Sequence, residues 1–286
     1  MSEPSPSDLP AVLNEIVEFK RSEIVSAKAS EPSSVLESMI ADSEPTRDFF
    51  SALVKPNESG TRVIAEIKRR SPSAGLIRPE YEQDGFKPEA IAQQYSNAGA
   101  SAISCLTDEK FFGGHLSFIK RIKSQINLPV IRKDFIIDPY QILQARAHGA
   151  DAVLLIAECL GDSQISQMLD LANDLDLAVL IESHSESNLA RVLPLVKASA
   201  HQQVLIGVNN RDLTKMATEL SNTARLAPLV EDRSALVSES GIKTPKDLAD
   251  LRASAVHIVL VGEHLMRQQH PGNALSQLLK PIASSG

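Results

Sequence analysis

Cysteine is scarce in this 286-residue chain: Cys105 and Cys159 are the only two, and both adjoin apolar runs. Two cysteines build no disulfide framework, and no C-x-x-C spacing points to a metal, so both are expected to be buried thiols in a reducing compartment. A basic excess is missing as well. Lys plus Arg number 29 against 36 Asp plus Glu, a formal net charge of −7. That balance argues against a general binder of nucleic acid or anionic membrane, which needs a basic surface, but it leaves room for a local phosphate pocket. No apolar run approaches the ~20 residues that a bilayer span needs. The opening Met1-Ser-Glu-Pro-Ser-Pro-Ser-Asp8 has neither the basic nor the apolar region of a secretory signal. A cytoplasmic protein is therefore expected, without membrane or nucleic-acid partners. Also lacking are a P-loop, a nucleophile elbow and a zinc motif. The histidines, among them His184 near Glu182, show no metal-ligand spacing, and surface or loop roles are expected.

What the chain does have is 43% hydrophobic and 23% charged residues, enough for a packed core and incompatible with wholesale disorder. Residues 1–8 are expected to be disordered. From Leu9 the apolar positions fall at helical steps through Ile24, with Pro10 suited to a first turn capped by Asp8. A shorter helix starting at Ser33 or Ser34, with Val35, Leu36, Met39 and Ile40 on one face, and a cluster at Phe49–Val54 complete an extension over residues 9–60. From residue 61 to 286 the pattern changes. Eight β-branched runs begin at Val63, Ala102, Pro129, Ala152, Ala178, Val204, Ala235 and Ile258, separated by helical stretches such as Pro88–Ala98, Asp138–His148 and Met216–Leu226. Asn97-Ala-Gly-Ala-Ser-Ala-Ile103 and Ala147-His-Gly-Ala-Asp-Ala-Val153 form a faint repeat, with Gly after a helix and a strand next. Ser254-Ala-Val-His-Ile258 is a looser copy with Ala255 in the glycine position. Eight such units predict an α/β fold, a (β/α)8 TIM barrel with additional N-terminal helices. The alternative, a doubly wound open sheet, is weakened by the lack of a G-x-G-x-x-G turn after the first strand.

Function in such a barrel sits at the carboxyl ends of the strands. Glu66 and Lys68 are in phase at the end of the first, where they bring an acid and an ammonium to the mouth or form a solvated rim pair. Lys133 follows Ile131 in phase at the third. Partial desolvation beside other cations would lower its pKa for acid or base work, and a rim charge is the plainer alternative. Glu182 follows four apolar residues of the fifth. It reads as catalytic more readily than as a helix cap, which Ser185 or Ser187 would serve better. Asn209, Asn210 and Arg211 offer directional hydrogen bonds, or simple turn chemistry. Gly241 and Gly262, after the seventh and eighth strands, would let backbone N–H groups approach a phosphate.

In order along the chain, Glu66-Ile-Lys-Arg-Arg-Ser-Pro-Ser73, Leu106-Thr-Asp-Glu-Lys-Phe-Phe-Gly-Gly114, Lys133-Asp-Phe135, Leu180-Ile-Glu182, Gly207-Val-Asn-Asn-Arg-Asp-Leu213, Ser238-Glu-Ser-Gly-Ile242 and Val261-Gly-Glu263 resemble the indole-3-glycerol-phosphate synthase family of tryptophan biosynthesis. Ile16-Val-Glu-Phe-Lys-Arg-Ser-Glu-Ile24 is similar to that family's extra N-terminal helix. The resemblance implies a carboxy-lyase. It would close the ring of 1-(2-carboxyphenylamino)-1-deoxyribulose 5-phosphate, then release carbon dioxide and water, with no metal or organic cofactor. It assigns Lys133 as the acid at the ketone oxygen, Glu66 and Glu182 as stabilisers of the cationic intermediate, and Glu182 as a partner in dehydration, with either Lys133 or Lys68 as the second acid. Asn209 would orient sugar hydroxyls or Glu182, and Arg211 would reach the substrate carboxylate or a loop network. Phe112, Phe135, Leu154 and Leu213 would enclose the aromatic ring. Backbone at Ser240, Gly241, Gly262 and Glu263 would hold the phosphate, aided by Ser71 or Lys68.

The family's N-terminal helices cover the upper face, so removing residues 1–46 is expected to leave a folded barrel that binds substrate more weakly, with Lys20 and Arg21 near the mouth. Ala255 and His257 depart from the commoner Gly and Asp and put that loop's geometry in question. The chain is expected to be a monomer acting on a small molecule, with no fused isomerase or amidotransferase domain. A sugar-phosphate isomerase on the same barrel, such as phosphoribosylanthranilate isomerase, or a non-catalytic phosphosugar sensor would share the glycines. Neither would need two lysines and two carboxylates together.

Overall fold

Eight parallel strands pair in sequence order and close into a barrel: β1 (Arg62–Ile67), β2 (Ala102–Leu106), β3 (Val130–Lys133), β4 (Ala152–Ile156), β5 (Ala178–Ser183), β6 (Val204–Asn209), β7 (Leu236–Glu239) and β8 (Ile258–Val261), with β8 returning to β1. The computed structural model describes residues 10–82, 85–212 and 217–281. The expectations for residues 1–9, including disorder and a helix starting at Leu9, and those for Leu213 and Met216 lie outside that set. The strands are buried along almost their whole length, as parallel strands covered by helices must be. The open-sheet alternative is ruled out by the β1–β8 pairing, in which Arg62 to Ala65 register with Ile258 to Val261.

The chain enters through α1 (Ala11–Ser30), α2 (Ser33–Ala41) and α3 (Phe49–Val54). The crossover helices are α4 (Pro88–Asn97), α5 (Ser117–Lys123), α6 (Pro139–Ala147), α7 (Asp162–Asp174), α8 (Glu186–Ala198), α9 (Ser221–Leu226), α10 (Pro245–Ala253), α11 (Glu263–Met266) and α12 (Pro271–Leu278). Their starts are written in side chains. Asp138 and Thr244 form capping boxes ahead of Pro139 and Pro245, and Ser185 caps α8 by accepting the Asn188 N–H. Their ends follow the repeat: Gly99, Gly149 and Ala255 occupy the same left-handed position, with φ of 91°, 87° and 59°. Ala255 thus keeps the glycine geometry, at the steric cost of its Cβ.

Two expectations need correction. Pro10 is not in the first turn of α1 but immediately before it, where its extended φ and ψ cap the helix. The helix expected over Met216–Leu226 begins only at Ser221, because Ala217–Thr218 first pairs antiparallel with Arg211–Asp212.

The N-terminal extension touches both ends of the barrel. In α1 the buried side is Leu13, Ile16, Val17, Lys20 and Ile24, and Lys20 reaches the carboxyl ends of β2 and β3. α2 packs on α6, with Ile24, Leu36 and Tyr140 in a small satellite core. The chain then passes to the lower face. The Arg47 guanidinium donates to the carbonyls of Lys123, Ile126 and Leu128, and Phe49 and Leu53 are fully buried against the barrel. Residue 46, the boundary up to which removal is expected to leave a folded barrel with weaker substrate binding, therefore falls just before Arg47, Phe49 and Leu53, which seal the lower face.

Candidate active site

A cleft of about 460 Å³ opens at the carboxyl ends of the strands. Strands β3 and β7 end on Lys133 and Glu239, and β5 carries Glu182 one residue before its end, all as members of the ladder, which fixes those side chains on a rigid frame. Lys133 Nζ lies 2.7 Å from Glu182 Oε2 and 3.6 Å from Glu239 Oε2. Asn209 Nδ2 donates to the other Glu182 oxygen at 2.9 Å.

Burial alone would strip the charge from Lys133. Glu182, Glu239 and Glu66 outweigh it and hold the ammonium well above the ordinary lysine range. This corrects the expectation of a lowered pKa, since the charged neighbours of Lys133 are carboxylates, not cations. Glu182 and Glu239 are shifted in opposite directions. Burial raises both, but Lys133 and the Asn209 hydrogen bond bring Glu182 below the usual range. Burial and the neighbouring Glu182 charge push Glu239 well above it, so of the two Glu239 keeps its proton to the higher pH.

Two glycines make room for this cluster. A Cβ on Gly207 would collide with Glu239 Oε1, and one on Gly262 with Glu66 Oε1. Glu66 in turn accepts from the Lys68 ammonium at 2.5 Å. Above them a rim network crosses the mouth. Arg211 donates to Glu263 at 2.8 Å and to Ser73 Oγ at 3.2 Å, while Arg267 holds the other Glu263 oxygen. Burial would raise the Glu263 pKa, but the two arginines bring it down to about 2.

The two ends of the cleft differ in character. On one side Phe112 and Phe135 face each other with centroids 5.9 Å apart, backed by Leu106 and Leu154. The loop carrying Phe112 folds tightly because Gly113 is left-handed and Gly114 lies against the Leu106 carbonyl. On the other side Ser240 and Gly241, both left-handed with φ of 68° and 85°, face Gly262 and Glu263, with Lys243 also lining the cleft. Asn210 fixes this turn. Its Nδ2 donates to the Glu239 and Ser240 carbonyls and to Ser238 Oγ, and its Oδ1 accepts from Thr223.

Of the residues expected at the site, Glu66, Lys68, Phe112, Lys133, Phe135, Leu154, Glu182, Asn209, Arg211, Ser240, Gly241, Gly262 and Glu263 line this one cleft. Ser71 does not: it is buried in a small ribbon where its hydroxyl accepts the Ala74 N–H. Leu213 lies outside the described residues. Asn210, offered by the sequence as a hydrogen-bonding or turn residue, does both here, whereas Glu239 was not singled out from the sequence. Glu239 is hidden inside a Ser-Glu-Ser-Gly turn motif, and only its in-phase spacing from Val237 hints that it points inward. Among the described residues no group of three or more His, Cys, Asp or Glu is placed to hold a metal ion, and no helix is long and apolar enough to cross a membrane.

Solved structures of similar architecture include a 3-hexulose-6-phosphate synthase (TM-score 0.57, 15% identity, covering 77% of this chain and 98% of that one) and an archaeal fructose-1,6-bisphosphate aldolase (TM-score 0.55, 12% identity, covering 80% and 97%). At such identities they bear on the fold alone. The sequence relatives are far closer. The indole-3-glycerol phosphate synthases of Rhodopirellula baltica and Polaromonas naphthalenivorans are 45% and 44% identical, covering 90% and 93% of this chain and 94% and 98% of their own lengths. The family model for indole-3-glycerol phosphate synthase matches residues 13–278, from α1 to the last residue of α12. By that match and those relatives, the chain belongs to the indole-3-glycerol phosphate synthase family.

Proposed function

We propose that this protein converts 1-(2-carboxyphenylamino)-1-deoxyribulose 5-phosphate to indole-3-glycerol phosphate, carbon dioxide and water. The observation that carries the reading is the Lys133 ammonium, kept protonated among Glu182, Glu239 and Glu66 between an aromatic wall and a glycine-lined turn.

The substrate has an aromatic ring at one end and a phosphate at the other, and the cleft offers matching ends. Phe112, Phe135 and Leu154 take the ring and exclude water. Backbone N–H groups around Ser240, Gly241, Gly262 and Glu263 take the phosphate, with Lys243 adding charge. The ketone carbon then lies over the acid–base cluster. The ring carbon bearing the carboxylate attacks it, a C–C bond forms, and the ketone oxygen takes a proton from Lys133. The positive charge on the anilino nitrogen is met by the surrounding carboxylates, already in place before the reaction. The bond to the carboxylate breaks next, carbon dioxide leaves, and the bonding electrons restore the aromatic ring. Finally the new hydroxyl departs as water, protonated by Lys68 of the second lysine–carboxylate pair, and Glu182 removes the proton whose loss completes the indole. Glu239, 3.6 Å from Lys133 and with its pKa raised by burial and Glu182, serves to reprotonate it.

Incubating the purified protein with the substrate tests this reading. Indole fluorescence should rise with time, and a flat signal at saturating substrate would refute the assignment.

A further inference from the structure

The buried stripe of α1 consists of four aliphatic residues and one lysine, Lys20, which is fully buried. A charge so placed is costly unless paired, and Lys20 is paired three ways: with Asp108 at 3.0 Å, Asp134 at 2.9 Å and Glu23 at 3.0 Å. Both aspartates are themselves buried, and each holds one aromatic wall of the cleft. Asp108 Oδ1 accepts the N–H groups of Phe111 and Phe112 at 2.8 and 3.2 Å. Asp134 Oδ1 accepts the Phe135 N–H at 2.8 Å. The same stretch of α1 grips the Phe112 loop a second way. Phe19 meets Phe111 edge-on at 5.9 Å, and the Lys110 ammonium lies 3.9 Å from the Phe19 ring centre. Lys20 itself does not line the cleft.

We propose that Lys20 is a positioning residue for this reaction: through Asp108 and Asp134 it sets the spacing of Phe112 and Phe135, and so the binding of the substrate's aromatic ring. The proposal rests on the substrate reading above. α1 is then part of the ring-binding half of the site rather than a cover over it, and the phosphate half, on β7 and β8, is independent of it.

The test uses the full-length protein with Lys20→Met, which keeps the stem and removes the charge. A charge-balanced double variant, Lys20→Met with Asp108→Asn, accompanies it. KM for the substrate should rise about 10-fold while kcat changes less than about 3-fold, since uniform ring binding is lost and the acid–base cluster is untouched. Inhibition by inorganic phosphate should stay within about 2-fold of the parent, because its site does not depend on the clamp. A KM unchanged in whichever variant folds, or a KM that rises together with the phosphate inhibition constant, overturns the proposal. Failure of both variants to fold counts against it too, since it would assign Lys20 to the fold. An inactive parent would overturn the functional reading and this proposal together, whereas an active parent with an unaltered variant KM overturns this proposal alone.

Discussion

Lys133 Nζ and Glu182 Oε2 lie 2.7 Å apart, although the two residues come from β3 and β5 and are 49 positions apart in the chain. The pair makes Lys133 a fixed proton donor rather than a free base. Replacing Lys133 with Met should therefore lower kcat by at least ~10²-fold, the scale of losing a general acid, with the circular dichroism unchanged. Turnover close to the parent value would remove Lys133 from the mechanism.

Glu239 should leave its mark on the pH profile. Its folded pKa is raised by burial and by Glu182, so it is neutral below that value and ionises as pH rises through it. Ionisation adds a third charge beside Glu182 and Glu66 and removes the proton that resupplies Lys133. The parent's kcat should thus fall along an alkaline limb reporting the Glu182–Glu239 pair, and Glu239→Gln should lack that limb. An identical limb in the variant would assign it to another group.

Gly207 and Gly262 allow a steric test of the carboxylates. A methyl group at Gly207 must move Glu239, and one at Gly262 must move Glu66. Misplacing a reacting group by about 1 Å can cost on the order of 10²-fold. Gly207→Ala should lower kcat while leaving phosphate inhibition intact, and Gly262→Ala should weaken both. Kinetics of Gly207→Ala matching the parent would mean that Glu239 has freedom the packing does not suggest.

Asn210 ties the Ser240 turn to β6 by donating to two carbonyls. Asn210→Ala should loosen that turn, raising KM and weakening inhibition by inorganic phosphate by a few-fold to about 10-fold. Phosphate inhibition equal to the parent would place the anion away from Ser240 and Gly241.

Acid stability should follow Asp134. Burial would raise its pKa, but Arg132, Lys20 and the Thr107 hydroxyl more than reverse this and leave it below the ordinary carboxylate value. Its contribution is therefore complete above the unfolded-state pKa near ~3.9 and disappears as pH falls through the folded value. Asp134→Asn should cost about 3–5 kcal/mol at neutral pH, as breaking a buried pair does. The gap from the parent should narrow below about pH 4. A gap that is constant with pH would show that the ion pair is not what the carboxylate contributes.

The barrel was legible because each of its strands and most of its helices carry their own local signals. Apolar runs mark the strands to within two residues, and Asp138, Ser185, Thr244, Gly99 and Gly149 punctuate the helices. The strand ends were less so. β3, β5, β6 and β7 continue through Lys133, Ser183, Asn209 and Glu239, because hydrogen bonding holds a polar residue in a ladder that hydropathy alone would end. The direction of the Lys133 shift depends on carboxylates from three other strands and has no local signal. The role of Lys20 was also out of reach: one lysine on an apolar stripe looks like a flaw in the pattern until Asp108 and Asp134 are brought beneath it.

The most direct test of the account follows the carboxyl carbon. With substrate labelled in its ring carboxylate, the purified protein should release one labelled carbon dioxide for each indole-3-glycerol phosphate formed, and Lys133→Met should slow both equally. A product that keeps the label, as an isomerase on the same barrel would give, or no reaction at all, would contradict it.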